Sequence, residues 1–217
     1  MDCDDGEVTS PLPPRTFVVV SGPPGSGKTT LALAIAPALR LPLIAKDTIK
    51  EALMSVLPVP DTEASRLLGR ASVAALYAVA AQSEGAVLES VWHRSRTLPD
   101  MQRLGGNLVE VFCRCDAGLA AQRYAARASS RPPGHFDSLR IPAELWNDEV
   151  ARPVAGGWPV LAVSTDAPVD LEPLLRRIQA AARSAPARSA PARSAPAQAA
   201  PARSAPDSAG PDQAGPD

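Results

Sequence analysis

The sequence predicts an α/β fold, a three-layer α/β/α sandwich around a five-stranded parallel sheet. Three observations predict it. Five short runs rich in apolar residues alternate with helix-forming segments along the body of the chain. Those runs are apolar at most positions rather than at every second one, the pattern of strands covered on both faces. Between the first run and the first helix stands a glycine-rich stretch, Gly22-Pro23-Pro24-Gly25-Ser26-Gly27-Lys28-Thr29, which suits a tight strand-to-helix turn.

The first strand is Thr16-Phe17-Val18-Val19-Val20, and helix-forming residues continue from Leu31 to Ala36, closed by Pro37 or shortly beyond. Pro42-Leu43-Ile44-Ala45 reads as a second strand ending at Lys46-Asp47, with a helix from Thr48 to Leu57 stopped by Pro58. After a turn at 58–61, residues 62–84 carry an apolar stripe at helical spacing that Gly85 ends. Residues 86–92 form the third strand, 97–104 a helix broken by Gly105-Gly106, and 107–113 the fourth strand. Asp116 is placed to cap a helix running to about Ser130. A loop at 131–134, a short helix around 143–150, a fifth strand at 159–163 and a last helix over 171–183 complete the body.

The ends differ in composition. Residues 1–14 are acidic and proline-rich and are expected to be disordered. The core domain is expected over 15–183. From 184 to 217 the chain becomes a low-complexity Ala/Pro/Arg/Ser tail, with a proline every fifth residue from Pro186. Prolines at that spacing forbid a continuous helix, and the tail has little apolar surface to bury.

The stretch from Gly22 reads G-x-x-x-x-G-K-[ST], the phosphate-binding P-loop pattern, in its required strand–loop–helix context. Its glycines admit positive φ and bring backbone N–H groups close to a phosphate, and the helix N-terminus adds partial positive charge. Lys28 is expected to reach the β- and γ-phosphates, and Thr29 to ligate Mg²⁺. Residues Gly22, Pro23, Pro24, Gly25, Ser26, Gly27, Lys28, Thr29 and Thr30 together make the nucleotide site.

Other classes are poorly served. The net charge of −1 and the 4% aromatic content provide neither the basic groove nor the stacking platforms of a nucleic-acid binder. An Asn-Lys-x-Asp base-reading motif and an Asp-Glu pair after a strand are both missing, which argues against a GTPase switch and a multimeric motor. Three cysteines without ligand spacing, no signal peptide and no transmembrane run point to a cytoplasmic chain.

Beyond the P-loop, two segments carry a resemblance: Ala45-Lys46-Asp47-Thr48-Ile49-Lys50, and the arginines Arg123, Arg127 and Arg131, whose four-residue spacing puts them on one helix face. With the P-loop they resemble the small P-loop kinases, within the bacterial AAA-type ATP-binding group that includes polynucleotide 5′-kinase, zeta toxin and chloramphenicol phosphotransferase. The run Arg131-Pro132-Pro133-Gly134-His135-Phe136-Asp137 is similar to an Arg-x-Pro-Gly-His-x-Asp segment of that group. The resemblance implies a nucleoside-kinase-like sheet with a short helical lid. It also implies ATP and Mg²⁺ as cofactors and a small-molecule hydroxyl as acceptor, a nucleoside, sugar or antibiotic-like compound.

In such kinases an aspartate at the position of Asp47 is the catalytic base, and the lid arginines, here Arg123, Arg127 and Arg131, bind the triphosphate. Arg127, with Lys28, would stabilise the transferred phosphoryl group. Asp47 at a strand's carboxyl end could also cap the next helix. Glu89 stands where a metal-orienting carboxylate belongs and could contact Mg²⁺ or substrate. Lys50 and Trp92 are candidate acceptor contacts, Trp92 being equally suited to a core. Thr165, after the fifth strand, lies in the segment that resembles the adenine-embracing loop, where turn chemistry alone would also place it. Two other readings stay open: a polynucleotide 5′-hydroxyl kinase, and an ATP-binding or hydrolysing module without an acceptor.

Overall fold

The computed structural model describes residues 11–128 and 130–185. Most of the acidic N-terminal stretch and the proline-repeat tail therefore lie outside the described residues. Residues 11–14, expected to share the disorder of the N-terminal segment, are instead tied to the body. Leu12 packs against the core, and the carbonyls of Pro13 and Pro14 accept from Thr16 Oγ1 and Asn107 Nδ2.

The five strands are β1 (Thr16–Ser21), β2 (Leu43–Ala45), β3 (Gly85–Glu89), β4 (Asn107–Arg114) and β5 (Val160–Ser164). All pair in parallel, in the order β2-β3-β1-β4-β5. Side chains of a strand alternate between faces, and β1 divides its residues accordingly. Phe17 and Val19 face one layer of helices; Val18 and Val20 face the other. The second layer is α1 (Lys28–Ala38) and α8 (Leu171–Ser184), which bury Leu31, Ile35, Leu174 and Ile178 against Val18, Val20, Val87 and Val111. The first layer includes α3 (Thr62–Gln82) and α4 (Arg94–Arg103), with Leu76, Ala80 and Met101 against Phe17, Val19, Leu88 and Leu108. The expected three-layer sandwich is the observed one. Among the described residues no helix is long and apolar enough to cross a membrane.

Helix starts reflect local chemistry where a cap exists. Asp61 accepts from Ala64 N at 2.8 Å at the start of α3, and Asp170 from Glu172 N at 3.2 Å at the start of α8. Asp116 accepts from Leu119 N at 3.0 Å and opens α5 (Ala117–Ala128). α1 ends one residue beyond Pro37, at Ala38, as expected. The missing Pro37 N–H leaves the Leu33 carbonyl, four residues back, without its helical partner. The expected short helix near 143–150 is two single turns, α6 (Pro142–Leu145) and α7 (Asp148–Ala151).

A carboxylate sits inside this core. Glu110 on β4 is fully buried and accepts four hydrogen bonds: Ser21 Oγ at 2.6 Å, Val154 N at 2.8 Å, Ala155 N at 2.9 Å and Trp158 Nε1 at 3.1 Å. It fastens the 154–158 segment to the end of β1, next to the P-loop. A buried charge is tolerated when its lone pairs are filled in this way.

Candidate active site

The site lies at the carboxyl edge of the sheet, where parallel α/β sheets bind ligands. Register puts its parts side by side. Val20 of β1 and Ala45 of β2 both lie beside Glu89 of β3. The chain then continues from β1 into the P-loop and from β2 straight into α2 (Lys46–Met54).

The P-loop glycines are required by shape. Gly25 has φ 76°, and a Cβ there would stand 2.0 Å from the Ala120 carbonyl oxygen of α5. Gly27 has φ 81° and begins α1 from the left-handed region that glycine adopts without strain. Lys28 comes next, only 5% exposed, with Nζ donating to the Pro23 carbonyl at 2.8 Å. Burial lowers its pKa, and the nearby Glu89 carboxylate opposes the shift. Glu89 is equally buried; burial raises its pKa, Lys28 opposes, and its side chain is hydrogen-bonded to Thr29.

A hollow of about 170 Å³ opens over this loop, lined by Gly25, Gly27, Lys28, Thr29, Thr30, Arg123 and Arg127. Arg127 Nε is buried there without a hydrogen-bond partner among the described residues, its guanidinium 5.8 Å from the centre of the Tyr124 ring. A buried ammonium, a half-buried guanidinium and a glycine cradle fit a polyphosphate. For Mg²⁺ the chain offers the Thr29 hydroxyl and the Glu89 carboxylate. One carboxylate beside phosphate oxygens and water is a usual magnesium set, whereas no cluster of three or more His, Cys, Asp or Glu ligands occurs among the described residues.

The three arginines do not share one helix face. α5 is described to Ala128, and Arg131 stands in the loop beyond it. Arg123 lines the hollow as well, with its guanidinium donating to the carbonyls of Thr165 at 2.8 Å and Asp166 at 3.0 Å. Thr165 is likewise engaged: its hydroxyl lies 2.7 Å from Ser26 O and 2.9 Å from Arg114 O, pinning the loop after β5 to the P-loop. Of the two arginines at the hollow, Arg127 is the one whose Nε has no hydrogen-bond partner among the described residues.

Asp47 is not the cap of α2. The residue preceding the helix is Ala45, and Asp47 lies within the first turn. Its Oδ1 accepts from Lys46 Nζ at 2.8 Å and its Oδ2 from Arg131 Nη2 at 2.6 Å. Burial pushes its carboxyl up, but the Lys46 and Arg131 charges outweigh burial and hold it well below the ordinary range. Lys46 lies over Gly69 of α3, where a Cβ would stand 3.8 Å from Lys46 Cε.

Two candidate acceptor contacts are placed elsewhere. Trp92 belongs to the core: it is 3% exposed, its indole N–H donates to Val20 O at 2.9 Å, and its ring tilts against Tyr77. Lys50 is 2% exposed and donates to Ser65 Oγ at 2.7 Å, so its ammonium points into the α2–α3 contact. Sequence reasoning left His135, Asp137, Glu51, Tyr124 and Trp146 without roles, yet all surround the site. For His135 and Asp137 the run 131–137 was the one local signal; Glu51, Tyr124 and Trp146 had none.

Residues 18–78 match the sequence model of the ATPase family associated with various cellular activities (AAA). No curated protein matches the chain. Among solved structures, a "putative kinase" from Chloroflexus aurantiacus J-10-fl is 30% identical, with a TM-score of 0.69 over 76% of this chain and 97% of that one. A gluconokinase from Sinorhizobium meliloti 1021 is 22% identical with a TM-score of 0.49, and a shikimate kinase from Acinetobacter baumannii 18% identical with 0.47. Each of these two alignments covers 78% of this chain and 92% of the other. With a P-loop, a five-stranded parallel sheet and 30% identity over nearly all of the Chloroflexus aurantiacus protein, the chain belongs to that protein's family and has a kinase-like P-loop fold.

Proposed function

We propose that the chain is an ATP-dependent phosphotransferase that moves the γ-phosphoryl group of ATP to a hydroxyl of a small molecule. The observation that carries this reading is the position of Asp47. An ionised carboxylate stands at the same sheet edge as the P-loop, across β3 from β1, with Glu89 between. A hydrolase needs only to place water; a carboxylate held apart from the phosphate hollow suits a second substrate. The Chloroflexus aurantiacus relative, whose name puts it among the kinases, supports the reading.

The roles divide by chemistry. Lys28 and the first-turn N–H groups of α1 hold the β- and γ-phosphates. Thr29 and Glu89 would hold Mg²⁺, which would supply charge neutralisation on the phosphates. Arg127 meets the negative charge of the transferred group. Asp47 accepts the proton of the attacking hydroxyl as the new P–O bond forms and the bond to ADP breaks. Thr165 and Arg123 act by holding the 165–166 loop against the P-loop.

The test is a coupled ADP-release screen over nucleosides, sugars, aminocyclitols and phenicols with Mg-ATP. The expected result is release that depends on one acceptor class and yields its phosphate monoester. Equal release with and without every acceptor contradicts the proposal.

A further inference from the structure

Arg131 is the meeting point of several side chains. Its Nη1 donates to both oxygens of Asp137, at 3.2 and 2.9 Å. Its Nη2 donates to Asp47 Oδ2 at 2.6 Å and reaches His135 Nδ1 at 2.8 Å. A guanidinium has only donors and keeps its charge, so every partner must accept. The same Nη2 lies 3.2 Å from His135 Nε2, so the guanidinium stands against the face of the imidazole ring, and Nε2 also lies 2.9 Å from Glu51 Oε1, a carboxylate oxygen that accepts. Burial and the neighbouring Arg131 both lower the ring's pKa, which keeps it neutral, and His135 is only 4% exposed.

The support continues outward. Tyr124 Oη donates to Asp137 Oδ1 at 2.9 Å. The Tyr124 ring meets Trp146 edge-on at 5.5 Å, and Trp146 Nε1 donates to Pro24 O of the P-loop at 3.1 Å. Ser65 Oγ donates to Gly134 O at 2.7 Å. The loop that carries Arg131 is thus fastened to α2, α3, α5 and, through Trp146, to the P-loop. A side chain held by so many oriented partners has one orientation to deliver.

We propose that His135 and Asp137 are positioning residues for phosphoryl transfer: together they set the Arg131 guanidinium on the Asp47 carboxylate and so fix the orientation in which Asp47 meets the acceptor hydroxyl. The proposal rests on the reading of Asp47 as the acceptor-side base. Each Asp47 oxygen has two lone pairs, and Lys46 and Arg131 fill one on each. The remaining lone pair on either oxygen can accept from a hydroxyl in a direction that the two cations dictate. Asp137 accepts from Arg131 and the His135 ring packs against it, and neither hydrogen-bonds to Asp47, so their effect passes through the guanidinium.

The experiment uses the full chain. The ionisation of Asp47 is followed without acceptor by carbon-13 NMR of its carboxyl group, and single-turnover transfer of labelled γ-phosphate is followed with Mg-ATP and the acceptor found in the screen. Asp137→Asn and His135→Leu are expected to move the Asp47 ionisation upward toward the ordinary carboxylate range. Both should also slow transfer, by about tenfold, with ATP affinity within about twofold of wild type. In an Arg131→Ala background neither change should have a further effect, because partners acting through one group are not additive. An unchanged Asp47 ionisation in both single variants overturns the proposal, as does a further shift in the Arg131→Ala background. If His135→Leu does not fold, Asp137→Asn carries the same test. Failure of the underlying reading looks different: Asp47→Asn would transfer phosphate to the acceptor at the wild-type rate while the ionisation shifts persist.

Discussion

Lys50 shows how single positions trade stability against chemistry. Its side chain is 2% exposed, and burial, aided by the Lys46 charge, lowers its pKa to about 8. In the unfolded chain a lysine titrates near ~10.4. Between these values the unfolded state binds more protons, so stability rises with pH there; below about 8 both states are charged and the full cost of burying the ammonium is present. Lys50→Met keeps length and removes the charge. It is expected to raise the melting temperature at pH 7, by an amount equivalent to about 1 kcal/mol or more, with the advantage shrinking as pH rises from about 8 to about 10. Melting scans across that range check it. A lower melting temperature at pH 7 would mean that the bond to Ser65 outweighs the desolvation cost. Lys50 was legible as a candidate from its place after Asp47, but its direction was not. The partner that turns it inward, Ser65, lies on another helix.

At the scale of elements, local signals were the readable ones. The strands announced themselves by apolar runs, α3 by its apolar stripe and α5 by its aspartate cap. Junctions and long-range contacts were not readable in the same way. α2 starts at Lys46, not after Asp47, because β2 passes directly into it with Ala45 in extended geometry and no side-chain cap. The arginine spacing suggested one long helix face, although Arg131 precedes Pro132, and a residue before proline is driven out of the helical region. That signal was in the sequence and outweighs the four-residue spacing. Trp92 and His135 could not be placed because their partners, Val20 O and Glu51, are 72 and 84 residues away. Glu110 is the same kind of case, a charged residue in a strand whose four donors come from elsewhere. Glu110→Gln keeps volume but turns an amide N–H₂ toward groups that donate. It is expected to destabilise the chain by about 2 kcal/mol or more, read as a lower denaturant midpoint at unchanged slope. A change within about 0.5 kcal/mol would show that the 154–158 segment does not depend on it.

The whole molecule should respond to its nucleotide as one body, since the P-loop is braced by β1, α5, the 165–166 loop and Trp146. A ligand that binds only the folded chain, at about a hundred times its dissociation constant, adds about 2.7 kcal/mol of stability. Mg-ATP is therefore expected to raise the melting temperature by several degrees, and Lys28→Ala to remove most of that rise while leaving the unliganded melting temperature within about two degrees. An equal rise in the Lys28→Ala chain would detach nucleotide binding from the P-loop. The measurement that bears most directly on the phosphotransferase claim is single-turnover transfer of labelled γ-phosphate from ATP to the acceptor found in the screen, in wild type and Asp47→Asn. Asparagine keeps the size of the side chain and loses its basicity. If Asp47 is the base, ATP affinity stays close to wild type and transfer slows by about 10²- to 10⁴-fold. Transfer at the wild-type rate by the asparagine chain, or rapid hydrolysis of ATP by wild type without any acceptor, would contradict that role.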